Sequence, residues 1–102
     1  MLPSKLQILG RKYKLKKNAE RLQEYSDQGG ETWGVTLPLS AEIILNPDMP
    51  LDHEQAVVVH EIFHALHVTE SASMHEDTVA AMSYGVYRVL RDNPKLVEYL
   101  TS

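Results

Sequence analysis

From Ala56 to Val68 the chain is apolar on almost every side of a helix, because Ala56, Val57, Val58, Val59, Ile62, Phe63, Ala65, Leu66 and Val68 leave no broad polar stripe. A helix patterned this way has to be covered by other layers of structure. Its start is written in Pro50-Leu51-Asp52-His53-Glu54-Gln55, where Asp52 stands as N-cap and Gln55 takes the capping-box position three residues on. Asn46-Pro47-Asp48-Met49-Pro50 breaks the chain just before it. With 102 residues the chain is expected to form one domain with a modest core, which leaves no room for a separate substrate domain.

Inside this apolar run lies His60-Glu61-Ile62-Phe63-His64, an H-E-x-x-H pattern. At 3.6 residues per turn, positions i and i+4 share a face, so the two imidazoles can meet one metal ion with Glu61 beside them as a base. Two histidines buried in a core without partners would be costly, whereas a shared metal satisfies both. The chain has no cysteine, so thiolate ligands and disulfides are excluded and any metal site uses His, carboxylate and water. The expected ion is Zn2+.

A catalytic zinc takes three protein ligands, and His67, His75, Glu76 and Asp77 are the nearby candidates for the third. A second long helix is predicted from about Met74 to Asp92, stopped by Asn93-Pro94, with an inward face marked by Val79, Met82, Ser83, Val86 and Leu90. Counting back along that face favours Glu76, with His75 behind it. Ser73-Met74-His75-Glu76 also fits a capping box, which is the structural alternative for Glu76. His67 follows His64 too closely on one helix to converge on the same tetrahedral ion, so it is placed beside the site rather than in it. His53, two turns before His60, is expected at the surface.

The rest of the chain predicts strands near Leu6 to Lys16, Thr32 to Pro38 and Ala41 to Leu45, with a polar turn around Asp27-Gln28-Gly29-Gly30. Lys16 to Tyr25 has a turn or two of helical spacing, and Lys95 to Leu100 a last short helix. Net charge is −4, yet seven of the ten Lys and Arg fall in the first 21 residues, before any acid except Glu20. Because Lys12, Lys14 and Lys16 alternate with Tyr13 and Leu15, this stretch is expected to be the wet side of an edge strand rather than a nucleic-acid surface. No aromatic stacking series accompanies the charges. No apolar run approaches the roughly 20 residues of a membrane span, and the first residues lack the apolar stretch of a signal peptide. The expectation is a cytoplasmic protein that does not engage membranes.

Residues 43 to 96, through Ile43-Ile44-Leu45-Asn46-Pro47-Asp48, His60-Glu61-Ile62-Phe63-His64-Ala65-Leu66-His67, Glu76 and Tyr84-Gly85-Val86-Tyr87-Arg88-Val89-Leu90-Arg91-Asp92-Asn93-Pro94, resemble small gluzincin-type zinc metallopeptidases. These are the single-domain minigluzincins and related short proteins often carried by phages and mobile elements. The resemblance implies an α+β fold with a three-stranded antiparallel sheet on two long helices and zinc between the helices. It assigns His60, His64 and Glu76 as metal ligands and Glu61 as general base. It also implies a peptide or protein substrate added along an edge strand, either Trp33-Gly34-Val35-Thr36 or Ala41-Glu42-Ile43-Ile44. Larger gluzincins place an aspartate four residues after the glutamate ligand, where this chain has Ala80. They also carry an oxyanion-stabilising Tyr or His on a further domain, a role that here falls to Tyr84, Tyr87, His67 or His75, with Tyr84 as first choice, or is absent. The expected function is a zinc-dependent peptidase, and the alternative is a non-catalytic zinc-binding regulatory or phage structural module.

Overall fold

The computed structural model describes residues 1–25, 33–70 and 76–102, with the side chains at 67–70, 76–81 and 83 outside the description. Eight elements follow in order: β1 (Lys5–Ile8), β2 (Arg11–Lys17), α1 (Ala19–Gln23), β3 (Gly34–Leu37), β4 (Glu42–Leu45), α2 (Leu51–Glu70), α3 (Glu76–Asp92) and α4 (Pro94–Leu100). The strands form one sheet in the order β1-β2-β4-β3.

The α+β class is as expected, but the sheet has four strands and is mixed. The run from Leu6 to Lys16 is two strands, because Leu9 and Gly10 both take positive φ, 47° and 88°, and turn the chain into a two-residue hairpin closed by Ile8 opposite Arg11. Strand β2 then pairs parallel with β4, Leu15 opposite Ile43, while β3 and β4 pair antiparallel, Thr36 opposite Ile43. Consequently the Lys-rich strand β2 is interior to the sheet, not an edge. Its alternation still holds: Tyr13 and Leu15 are buried while Lys12, Lys14 and Lys16 are exposed on one sheet face. The expected turn at Asp27 to Gly30 lies outside the described residues.

The core sits between the other sheet face and the helices. Leu6, Ile8, Tyr13, Leu15, Ile43 and Leu45 from the sheet meet Val58, Ile62, Ala65 and Leu66 of α2, Val89 of α3 and Leu96 and Tyr99 of α4. At about 25 cal/mol per Å2, each such Leu, Ile or Val side chain contributes about 1.5–3 kcal/mol relative to exposure. Ile44 points to the opposite face and is fully buried there, and α1, which carries the buried Leu22, packs against β4. The junction before α4 is tied to the sheet: Asn93 accepts from the Gln7 N–H at 2.9 Å and donates to the Gln7 and Val89 carbonyls at 2.9 and 2.7 Å. A side chain thus satisfies backbone at the outer edge of β1. No helix among the described residues is long and apolar enough to cross a membrane.

Two helix expectations need correction. Helix α2 starts at Leu51, with the Glu54 N–H donating to the Pro50 carbonyl, and Asp52 lies within the helix rather than capping it. Gln55 makes no capping box because its Nε2 donates to the Tyr99 carbonyl at 2.9 Å. On α3 Met82 and Val86 face inward as expected, together with Gly85 and Val89, whereas Leu90 is exposed, and the side chains of Val79 and Ser83 lie outside the described residues. Gly85 lies close against the Leu66 side chain.

Candidate metal and base site

Helix α2 presents two different sides, not one buried cylinder. Glu54, Val58, Glu61, Ile62, Ala65 and Leu66 face inward, whereas Ala56, Val59, His60, Phe63 and His64 are exposed. The histidines are therefore at the surface, and it is the glutamate between them that is buried, at 5% exposure.

His60 and His64 approach each other with Nε2 atoms 3.0 Å apart and ring centroids 4.7 Å apart. Two nitrogens bound at about 2.05 Å to one tetrahedral ion stand about 3.3 Å apart, so the pair is spaced for a shared metal to within a few tenths of an ångström. His60, Glu61 and His64 each offer a ligand atom, all within 4.8 Å of one another, and this group could hold a metal ion. The expected third ligand cannot be placed beside them: the side chains of His67, Glu76 and Asp77, and His75 altogether, lie outside the described residues.

Strand β3 supplies the other half of the site. It is at the end of the sheet, so the Trp33-to-Thr36 segment is the edge, while Ala41 to Ile44 lies on the interior side and drops out as a strand-addition edge. Gly34 and Thr36 share the helix-facing side, opposite Leu45 and Ile43. A Cβ at Gly34 would come within 2.9 Å of Val57 Cγ1 and 3.2 Å of Glu61 Cγ, so glycine is what lets the strand lie this close to α2. Two residues on, the Thr36 hydroxyl is 2.8 Å from Glu61 Oε1 and 3.0 Å from the Glu61 carbonyl oxygen.

An open cavity of about 460 Å3 lies between the start of β3 and the N-terminal half of α2, lined by Trp33, Gly34, His53, Ala56, Val57, His60 and Glu61. His53 is half-buried here, its ring tilted against Trp33 with centroids 4.7 Å apart, and is not the free surface residue expected. Its position two turns before His60 was the sequence signal that it shares a side with the motif. Thr36 was legible only as part of an edge strand. A polar residue on the strand face that also carries Gly34 could have flagged it, since such a hydroxyl needs a partner.

Tyr84 is not brought to this cavity. It is 57% exposed on α3, where its hydroxyl accepts from Arg88 Nη1 at 3.3 Å and its ring lies 6.3 Å from that of Tyr87, which is also exposed. Comparison of the chain with protein-family models, with curated proteins and with solved structures finds no match.

Proposed function

We propose that this chain is a small zinc-dependent peptidase of the gluzincin type, acting on extended peptide segments. The observation that carries the proposal is the convergence of two surface imidazoles on one point with a buried, hydrogen-bonded glutamate between them, at the mouth of a cavity bordered by an edge strand. His60 and His64 would hold the ion through Nε2, and Glu76 is the proposed third ligand, with His75 and Asp77 as alternatives. A zinc ion bound there supplies Lewis acidity, drawing the pKa of water toward neutrality and polarising a carbonyl.

The chain's own residues do the remainder. Glu61 accepts the proton from the attacking water and returns it to the leaving amine. Burial beside Gly34 and Val57 shields Glu61 from bulk water, which strengthens its interactions at the reacting centre. Among the described residues β3 is an edge strand, to which a substrate strand would add, and the cavity beside Trp33 and Val57 would receive a side chain from it. No step is given to Tyr84.

The test combines metal analysis with proteolysis. Native protein prepared without chelator is expected to carry about one zinc per chain by plasma mass spectrometry, as a catalytic site does. Glu76→Ala should lose most of it, whereas Glu61→Gln should keep it and lose cleavage of an unfolded protein substrate. Metal loss in Glu61→Gln would make the glutamate a ligand and favour the non-catalytic zinc module instead. Absence of zinc uptake by the native chain would end both readings.

A further inference from the structure

Within the peptidase reading, Glu61 must offer one oxygen to water in a fixed direction, and something has to hold the other. Glutamate has three rotatable bonds before its carboxylate, and burial of the residue alone does not choose the rotamer. Among the described residues, the only side chain that hydrogen-bonds this carboxylate is Thr36, at 2.8 Å to Oε1. The approach is built into the fold: Gly34 removes the Cβ that would strike Val57 and Glu61, and the two-residue period of β3 then delivers the Thr36 hydroxyl to the same side.

We infer that Thr36 is a positioning residue for Glu61: its hydroxyl holds Oε1, so that Oε2 is the oxygen presented to the attacking water. The hydroxyl carries one hydrogen and has two acceptors, Oε1 at 2.8 Å and the Glu61 carbonyl at 3.0 Å. The bond to the ionised oxygen is the stronger of the two. With the carbonyl as second acceptor the hydroxyl keeps a partner through any shift of the carboxylate, and because both acceptors belong to Glu61 it is anchored to that residue. A merely structural clip between β3 and α2 would need only the carbonyl contact. The bond to Oε1 aims the side chain, which is the kind of placement that decides whether a bound water is attacked from the right direction.

The experiment compares Thr36→Val, which keeps the shape and removes the hydroxyl, with Thr36→Ser, which keeps the hydroxyl. Thr36→Ala stands in if the valine variant does not fold. In crystal structures of the zinc-loaded proteins, Glu61 should occupy one position in the native and serine forms and leave it, or spread over several rotamers, in the valine form. With an unfolded protein as substrate, Thr36→Val should lower kcat by about ten- to a hundredfold with KM and zinc content nearly unchanged, and serine should restore kcat to within about threefold. In a Glu61→Gln background Thr36→Val should cause no further loss. A Glu61 carboxylate that stays in its native place without the hydroxyl overturns the inference, as does equal kcat for the valine and serine variants. The crystallographic comparison decides the positioning role even if the native chain cleaves nothing, an outcome that would sink the peptidase reading alone.

Discussion

Glu54 and Glu61 lie two turns apart on the inward side of one helix, equally buried at 5%, and the fold treats them in opposite ways. Glu54 is compensated: Lys17 Nζ stands 2.7 Å from Oε1 and the Tyr99 hydroxyl donates to Oε2 at 2.7 Å. Burial pushes its pKa up, but the bonds from Lys17 and Tyr99 outweigh that, and the carboxyl lies below its ordinary value. Tyr99 responds in turn, since burial and the neighbouring carboxylate hold its phenol well above the usual range. Glu61 has no ion pair among the described residues and a single hydroxyl for company. A buried carboxylate with a cation ties elements together, and one without keeps oxygens that could help to hold a metal ion. The first turn of α2 is a joint between α2, β2 and α4, and its middle carries the candidate site.

Four experiments bear on that contrast. If the proposed peptidase activity holds, the largest effect expected is on turnover, where Glu61→Gln should cost about a thousandfold in kcat, the scale of a lost general base. The same substitution should leave Tm unchanged or raised, because it removes an uncompensated buried charge. A fall in Tm as large as that of the Glu54 variant would break the comparison. Glu54→Gln should have the reverse signature, losing about 2 kcal/mol in denaturant unfolding because the Lys17 and Tyr99 bonds are to a charged group. Its zinc content and kcat should remain native. Tyr99→Phe removes one of those bonds and should cost about 1–2 kcal/mol by the same assay, and an effect near zero would mean that Lys17 alone compensates Glu54.

The smallest effect is one of shape. Glu42 on β4 is a second compensated carboxylate, held by Arg21 at 2.9 Å and Lys16 at 2.8 Å, and these with Ser40 bring its pKa down from 4.5 to about 2. A group whose folded pKa is depressed adds stability above its unfolded value and loses it as pH falls through the folded one. The native chain should therefore lose stability between about pH 4.5 and pH 2, with Glu54 acting in the same direction. Thermal melts of Glu42→Gln across that window should fall less steeply with acid than native ones. Parallel curves would remove Glu42 from the compensated class.

Much of the fold was legible because its signals are local. The long apolar run after the break at Asn46-Pro47-Asp48-Met49-Pro50, the Asn93-Pro94 stop and the alternation of Tyr13 and Leu15 with lysines each specify an element without reference to the rest of the chain. The sheet was less so. Nothing in residues 6 to 16 announces that Leu9, a poor residue for positive φ, will share the hairpin turn with Gly10. Parallel pairing of β2 with β4 depends on how the intervening segment returns, which is a property of the whole chain. The motif was plain in its identity and misjudged in its setting: an apolar pattern on every side predicted buried histidines, yet the side carrying Val58, Ile62 and Ala65 is buried while His60 and His64 are exposed.

By itself the sequence determined which residues can do chemistry, since the spacing of His60 and His64 sets their meeting on one helix face whatever surrounds that helix. It also determined that no thiolate could take part. Only the tertiary structure decided that Glu61 is the buried member, that Thr36 from a strand 25 positions earlier reaches its carboxylate, and that His53 and Trp33 wall a cavity beside it. The physical reason is range: helix periodicity is fixed by backbone geometry within a few residues, whereas burial and cross-element hydrogen bonds exist only once Gly34 lets β3 lie against α2.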